Sequence, residues 1–299
     1  MKKLPFYNGL FIALFLCSCG GESKNTTKEE QSLPVIETGV KSYAAMTDSL
    51  RLDSLTKVKI ETSVGELVVA LFDETPLHKE NFLKLTRSNF YNNTLFHRVI
   101  KQFMAQGGDP NSKNANPGQA LGDGGPGYTI PKEFNNKLYH IKGALAAARR
   151  SDQINPLKES SGSQFYIVTG SKVQNDFWKN MAMQNSYEIF FTNPKNNEYN
   201  IRAEAYRQNQ DQAGLQVLAD EVESLTASLR DSLINSLTPE YKNMYATHGG
   251  TPALDGKYTV FGYLVSGYQT LAAIENNPTA PGDRPIEDIK IIKCSVLND

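Results

Sequence analysis

The sequence has few of the residues that form disulfides, metal sites or hydrolytic centres. Its 299 residues include three cysteines and four histidines, and the cysteines stand in no zinc-binding spacing. The chain has no HExxH motif, no serine in a GxSxG context and no GK[ST] motif, which disfavours proteases and other hydrolases as well as P-loop nucleotide sites. The formal net charge is -1, so no large basic surface for nucleic acid is predicted. We predict neither a metal nor another cofactor.

The first 19 residues resemble a targeting segment. Two lysines precede a short apolar run, Leu10 to Leu16, which is too short to span a bilayer. The letters LCSC that end this run resemble a bacterial lipoprotein processing site. The resemblance implies that residues 1–18 are a signal peptide and that Cys19 is lipidated with palmitate or a similar chain. It also implies that the protein is anchored in the bacterial cell envelope, facing the periplasm. The alternative is an ordinary secretory signal with a soluble product.

The residues after this segment predict a flexible tether over 19–56. Residues 20–41 are polar and rich in Ser, Thr, Asn, Lys and Glu, a composition that cannot bury enough apolar surface to fold. Residues 43–56 are more apolar and predict either a short helix or a collapsed linker. In the mature chain Cys294 is then the free thiol, so no internal disulfide is predicted; we expect this cysteine to be buried.

The stretch from Asn93 to Asp109 carries the most chemical information. Its alternation of apolar and polar residues predicts an extended segment with two distinct faces. Arg98, Ile100 and Gln106 can then share an open face before Gly107 begins a turn. An arginine held among apolar and amide side chains can direct hydrogen bonds into a poorly hydrated groove.

This stretch, with the letters FHRVIKQFMAQGGD, closely resembles the signature of cyclophilin-type peptidyl-prolyl isomerases. Two further pairs of segments resemble the second and third active-site segments of that family, in the same order: Gly143–Arg149 with Ser163–Ile167, and Leu254–Lys257 with Val260–Gly262. The resemblance covers about residues 57–170 and 249–297. It implies a mainly β isomerase domain over 57–299, a closed antiparallel cyclophilin-like β-barrel capped by helices, with its groove on the outer wall.

The resemblance also implies roles for individual residues. Arg98 is the implied catalytic donor, and Gln106 and Gln164 are implied to hold it and the substrate carbonyl. Ala147, Tyr166, Ala253 and Tyr258 depart from residues that are common in the family, so an altered side-chain preference is expected. The implied substrate contacts are Ile100, Phe103, Met104, Gln106, Ala148, Arg149, Gln164, Tyr166, Leu254 and Tyr258.

Other residues receive structural interpretations. His97 is predicted to point away from the groove, and His78 is predicted to be a solvated or capping residue of the helix that follows Thr75-Pro76. The glycine-rich stretch 118–128 lacks the context of a phosphate loop and is predicted to be a wide turn beside the groove.

Residues from about 175 to 248 interrupt the family pattern and predict a helical insert. Apolar residues recur there at spacings of three and four, from Leu215 to Leu233, and Thr238-Pro239 is typical of the start of a further helix. One interpretation is a helical hairpin with its own small core, whose apolar faces pack on each other or on the barrel. The other is a surface that binds a protein partner.

The sequence therefore predicts a peptidyl-prolyl cis-trans isomerase that assists the folding of exported or cell-envelope proteins. Its partners would be proline-containing unfolded or exported polypeptides and, through lipid on Cys19, a membrane; no nucleic acid is expected. The alternative is an envelope chaperone or peptide-binding module that uses the same groove, or the helical insert, without significant turnover.

Overall fold

The first two strands of the domain follow the alternation of their side chains. The computed structural model describes residues 46–298, and β1 (Lys57–Thr62) and β2 (Gly65–Leu71) pair in it as the predicted antiparallel hairpin. Along β1 every second side chain is buried. Gly65 begins β2 at a φ of +135°, which residues with a Cβ rarely adopt.

The strands form one large sheet and one small one. The large sheet contains eight strands in the order β10-β1-β2-β9-β6-β8-β4-β3, and each neighbouring pair is antiparallel. β5 and β7 pair separately. The other strands of the described range are β3 (Arg98–Ile100), β4 (Met104–Gly107), β5 (Thr129–Ile130), β6 (Ala144–Ala147), β7 (Ser160–Ser161), β8 (Phe165–Val168), β9 (Val260–Ser266) and β10 (Ile291–Asn298).

The prediction of a closed barrel is wrong, because the large sheet is curled but open between β10 and β3. A single antiparallel bridge, from Leu95 to Lys290, spans this gap. Beside it, the N–H of Ile291 donates to the carbonyl oxygen of Thr94 at 2.8 Å. The hydrogen bonds across the gap come from residues 93–96, which precede β3, whereas β3 itself pairs with β4.

The prediction of a mainly β protein is not confirmed, since helices hold 40% and strands 21% of the described residues. Short strands and the long helices of the insert account for this balance. The helices are α1 (Ser49–Ser54), α2 (Pro76–Arg87), α3 (Asn175–Thr192), α4 (Asn197–Gln208), α5 (Gln212–Ser236), α6 (Pro239–His248) and α7 (Tyr268–Glu275).

The start of α2 is capped by a residue distant in sequence. Thr75 precedes the helix as predicted, but its hydroxyl makes no capping hydrogen bond. The carboxylate of Glu133 instead accepts the backbone N–H of Leu77 at 3.1 Å and that of His78 at 3.0 Å. A carboxylate at this end satisfies two free amides and complements the helix dipole.

Two apolar clusters occupy opposite faces of the large sheet, because successive side chains of a strand point to opposite sides. We call the cluster that contains Phe165 and Ile167 of β8 the inner cluster, and the one that contains Tyr166 and Val168 of β8 the outer cluster. Phe82 of α2 and Cys294 of β10 are buried in the inner cluster, which confirms that the thiol is buried.

Residues 46–56 pack against the outer cluster. Met46, Leu52 and Leu55 are buried in it, and α1 matches the helical alternative predicted for this stretch. The structure thus places these residues with the packed domain rather than with a free tether. The predicted signal peptide, Cys19 and the tether up to residue 45 lie outside the described residues. None of the helices described between residues 46 and 298 is long and apolar enough to cross a membrane.

The residues between β8 and β9 are helical, as their periodicity predicted. Leu218 and Val222 of α5 form a small cluster of their own with Ala203 of α4 and surrounding aromatic side chains. The two ends of this region pack against the sheet instead. Trp178 and Met181 of α3 and Tyr241, Met244 and Tyr245 of α6 are buried in the outer cluster, together with residues of the sheet.

Candidate functional site

Strand register aligns Arg98 with three other residues across four strands. Arg98 of β3 lies opposite Gln106 of β4, Gln106 lies opposite Tyr166 of β8, and Tyr166 lies opposite Ala146 of β6. Residues directly opposite each other in a sheet share a face. The predicted common face of Arg98, Ile100 and Gln106 is confirmed, because Arg98 and Ile100 are two residues apart on β3 and Gln106 lies opposite Arg98. The extended segment predicted around them is folded into a hairpin that turns at residues 101–103.

The apolar residues assigned to the substrate pocket meet beside this row. Ile100, Phe103, Leu254 and Tyr258 are partly buried and pack on the outer cluster, which contains Met104, Ala148 and Tyr166. The rings of Tyr166 and Tyr258 lie edge to face with centroids 6.0 Å apart. The sheet and the loop before β9 therefore form an apolar wall next to a half-exposed guanidinium.

Arg149 stabilises this wall through contacts with three residues. Its Nε donates to the carbonyl oxygen of Lys257 at 2.9 Å, and its guanidinium lies 4.5 Å from the centre of the Tyr258 ring. Its Nη1 also pairs with Asp152. These contacts fix the loop that carries Tyr258, so the side chain of Arg149 shapes the pocket indirectly.

The two glutamines assigned to the site bond to each other. Nε2 of Gln106 donates to Oε1 of Gln164 at 2.9 Å, and Nε2 of Gln164 donates to the carbonyl oxygens of Gly122 and Gly124, both at 2.7 Å. The backbone N–H of Gly122 donates to the buried carboxylate of Asp109 at 2.6 Å. These bonds hold the glycine-rich loop beside the groove as a turn, and the N–H of Gly122 is already paired with Asp109.

Arg98 is held by a residue that the sequence did not indicate. Its Nε donates to Oδ2 of Asp283 at 3.2 Å, and the side chains are 43% and 42% exposed. Gln106, which was expected to hold Arg98, bonds to Gln164 instead. Asp283 lies 185 positions away in the chain, so no local pattern pointed to this pair.

A buried polar network lies behind Tyr166. Its hydroxyl donates to Nε2 of His140 at 3.0 Å, and Nδ1 of His140 donates to Oδ1 of Asp255 at 2.8 Å. Oδ2 of Asp255 accepts the hydroxyls of Tyr241 at 2.7 Å and Tyr245 at 2.6 Å. Burial raises the pKa of all three tyrosines well above the usual value, so these hydroxyls stay protonated and can donate. The network ties the pocket wall to α6.

The prediction that His78 is solvated or capping is wrong. Only 2% of it is exposed; Nδ1 lies 2.6 Å from Oε2 of Glu133 and Nε2 lies 2.9 Å from Oγ of Ser160. The order Ser-His-Glu is that of some hydrolases, but Ser160 is 1% exposed and no substrate could reach it. We interpret the three residues as a clamp between α2 and β7. His97 is buried as well.

We expect the free energy of unfolding to fall as the pH drops below about 6.5, the pKa of histidine in an unfolded chain. Burial lowers the pKa of His78, although Glu133 opposes the shift, and burial also lowers the pKa of His97. As the pH falls below that value, the unfolded chain therefore binds protons before the folded chain does, and protonation favours the unfolded chain. Urea unfolding at pH 7.5 and 5.5 measures the loss. The variant His78→Asn should show a smaller difference between the two pH values, and an unchanged difference would contradict this account.

Among residues 46–298, no group of three or more His, Cys, Asp or Glu side chains is placed to hold a metal ion. The site thus consists of a half-exposed arginine, an adjacent apolar wall of aromatic and aliphatic side chains, and amides fixed by the glycine-rich loop. Such an arrangement can bind an apolar ring and donate hydrogen bonds to an atom beside it.

Comparisons with known proteins identify the family of this chain. Residues 57–190 and 235–296 match the family model for cyclophilin-type peptidyl-prolyl cis-trans isomerases. A relative from Staphylococcus saprophyticus, named as a peptidyl-prolyl cis-trans isomerase, is 30% identical over 245 residues, which cover 81% of this chain and 91% of the relative. A relative of the same name from Staphylococcus haemolyticus is 28% identical over 249 residues, which cover 82% and 92%.

A solved cyclophilin-type isomerase from Cryptosporidium parvum is 23% identical and aligns with a TM-score of 0.49, covering 82% of this chain and 98% of that one. On the family match and the similarity to the staphylococcal relatives, the chain belongs to the cyclophilin-type peptidyl-prolyl cis-trans isomerases and is an enzyme that isomerises X–Pro peptide bonds.

Proposed function

We propose that Arg98 is the catalytic donor of this isomerase and that the X–Pro bond binds along the row formed by Arg98, Gln106 and Tyr166. The observation that carries the proposal is the register of β3, β4 and β8, which places a guanidinium, an amide and an aromatic ring on one face. An apolar wall containing Met104 and Leu254 adjoins that face and suits a proline ring.

The chemistry of prolyl isomerisation needs only such groups. The barrier to rotation, about 18–20 kcal/mol, comes from amide resonance. Twisting the bond localises a lone pair on the prolyl nitrogen, so a donor near that nitrogen stabilises the twisted amide more than the planar one. Arg98 remains charged and offers several N–H groups in a planar fork. The apolar wall excludes water, which would otherwise compete for those donors.

The test of this assignment is the rate of cis-to-trans conversion of a short X–Pro peptide. Peptide affinity is measured in parallel, so that binding and turnover are separated. A module that bound proline peptides without significant turnover would show affinity with an unchanged rate. That outcome would leave the groove as a binding site and remove the catalytic role of Arg98.

We further propose that the clients are exported or cell-envelope proteins and that lipid on Cys19 holds the enzyme at a membrane. The support is the sequence of residues 1–19, in which a basic start and an apolar run precede Cys19. Several acyl chains anchor a protein firmly, because each buried methylene contributes about 0.8 kcal/mol.

The variant Cys19→Ser is expected to lose its acyl label and to leave the membrane fraction. Cells are fed labelled palmitate, and the protein is followed by fractionation. Cys17→Ser is the matched control, because this cysteine would be removed with the signal peptide, and its product should stay labelled and membrane-bound. Wild-type protein that carries no label would contradict the lipid anchor and favour an ordinary secretory signal.

A further inference from the structure

A tight turn ahead of β10 presents a carboxylate to Arg98. The N–H of Asp283 donates to the carbonyl oxygen of Ala280 at 3.0 Å, and the N–H of Ala280 donates to that of Arg284 at 2.8 Å. Asp283 has a φ of +65°, in the left-handed region that few residues other than glycine, asparagine and aspartate adopt readily. The turn is thus closed by its own backbone and holds Asp283 in one orientation.

Arg284, the next residue, anchors this turn to the body of the protein. It is only 8% exposed, and its guanidinium donates to both carboxylate oxygens of Asp288 at 2.9 Å. Nη1 donates to the carbonyl oxygens of Asn116 at 2.8 Å and Gln119 at 3.1 Å, where the glycine-rich loop begins. A buried arginine with these partners leaves the turn little freedom to move.

Asp283 contacts β3 through both its backbone and its side chain. Its carbonyl oxygen accepts the N–H of Val99 at 2.8 Å, and its Oδ2 accepts Nε of the adjacent Arg98 at 3.2 Å. The backbone bond sets the distance between turn and strand, so the carboxylate lies beside the arginine stem. Because Nε is the donor used, the two terminal nitrogens of the guanidinium are not consumed by this bond.

We propose that Asp283 is a positioning residue of the isomerase, which orients Arg98 so that its terminal N–H groups face the substrate amide. This inference rests on the proposed catalytic role of Arg98. The exposure of both side chains excludes a large contribution to stability, since exposed ion pairs contribute little to folding. Its effect is on geometry: a long arginine side chain with several rotatable bonds is restricted to orientations compatible with the Nε bond.

Three variants separate this role from a structural one. Asp283→Gly removes the carboxylate at a backbone angle that glycine adopts freely. Asp283→Asn keeps a neutral acceptor and tolerates the same angle. Asp283→Lys reverses the charge, and the chain already accommodates a lysine at positive φ, Lys158 at +57°. Glu287→Ala is the matched control, because Glu287 is an exposed carboxylate on the same segment.

We expect Asp283→Gly and Asp283→Lys to lower kcat/KM on a tetrapeptide by about five- to tenfold, mainly through kcat, since misplacing a catalytic group affects the transition state. Asp283→Asn should recover most of this loss, and Glu287→Ala should match the wild type. The melting temperature should remain close to the wild-type value in all four. Wild-type kcat in both the glycine and the lysine variant would overturn the proposal, as would a gain in activity.

A double-mutant cycle with Arg98→Ala isolates the coupling. If Asp283 acts through Arg98, Asp283→Gly causes no further loss in the Arg98→Ala background. An equal proportional loss in both backgrounds would overturn the positioning role while leaving the proposed function intact. Wild-type activity of Arg98→Ala itself would overturn the proposed function and this inference with it. The two failures are therefore distinguishable, because Arg98→Ala loses activity in the first case and keeps it in the second.

Discussion

Arg98→Ala should reduce kcat/KM on a short X–Pro peptide by at least about tenfold while the protein stays folded. A tenfold loss corresponds to about 1.4 kcal/mol of transition-state stabilisation, a modest demand on one charge-assisted hydrogen bond. The fold should persist, because the Arg98 side chain is 43% exposed and the ion pair it loses is a surface pair. The measurement is cis-to-trans relaxation of a tetrapeptide, with a melting curve for each variant.

Two further variants make this result specific. Arg98→Lys keeps the charge but loses the planar fork and its Nε–H, so we expect it to be nearly as poor as alanine. Lys101→Ala removes an exposed cation from the turn of the same hairpin and should retain wild-type activity. A folded Arg98→Ala protein with near wild-type turnover would contradict the proposed mechanism, since the apolar wall alone would then account for catalysis.

Removal of all residues from 175 to 248 should prevent the protein from folding. The deletion takes away Trp178, Tyr241 and Tyr245, which are buried against the sheet, and deprives Asp255 of two hydroxyl donors. Loss of a buried aromatic side chain costs about 3–5 kcal/mol and a hydrogen bond to a charged group about 1.5–3 kcal/mol. For three such side chains and two such bonds the loss is about 12–21 kcal/mol, as large as or larger than the roughly 5–15 kcal/mol by which a typical domain is stable.

A shorter deletion should be tolerated. Tyr187 of α3 lies near Glu223 and Arg230 of α5, so the two helices can be rejoined there. Replacing residues 191–224 with a short Gly-Ser linker removes α4 and most of the small separate cluster but keeps α6, the end of α5 and all but the last two residues of α3. Loop closure entropy changes little with loop length, so a near wild-type melting temperature and tetrapeptide activity are expected.

The paired deletions also test what the middle of the insert does. If it binds client proteins, the shorter deletion should slow a proline-limited refolding reaction of a long protein while leaving the tetrapeptide rate unchanged, because a second attachment point is lost. A soluble, active protein after the longer deletion would contradict the structural role of α6. Equal losses in both assays after the shorter deletion would show that the insert shapes the groove.

Local patterns predicted the elements of this protein well. The hairpin of β1 and β2, the helix after Thr75 and the helices of the insert follow from alternation, helical spacing and proline at a helix start. The common face of Arg98 and Gln106 also followed from sequence, because side chains in a β-hairpin have a fixed period and register. Each of these predictions depends on residues close together in the chain.

Contacts between distant residues were not predictable in this way. Glu133 caps α2 from 55 positions away, Asp255 reaches His140 across 115, and Asp283 reaches Arg98 across 185. These carboxylates stand in no motif, because their partners are chosen by how the strands and turns pack. His78 was misjudged for the same reason, since its burial arises from β7 and Glu133 rather than from its own helix.

The sequence alone determined the location of the strand that carries Arg98, the family resemblance and the helical character of the insert. It also determined the start of the chain, with its basic residues, apolar run and Cys19. Tertiary structure alone decided that the sheet stays open, that the ends of the insert belong to the core, and that Asp283 holds Arg98. The physical reason is the distance along the sequence over which each effect acts. Backbone propensity and side-chain periodicity act over a few residues, whereas sheet closure, burial and ion pairing depend on which distant segments come to lie side by side.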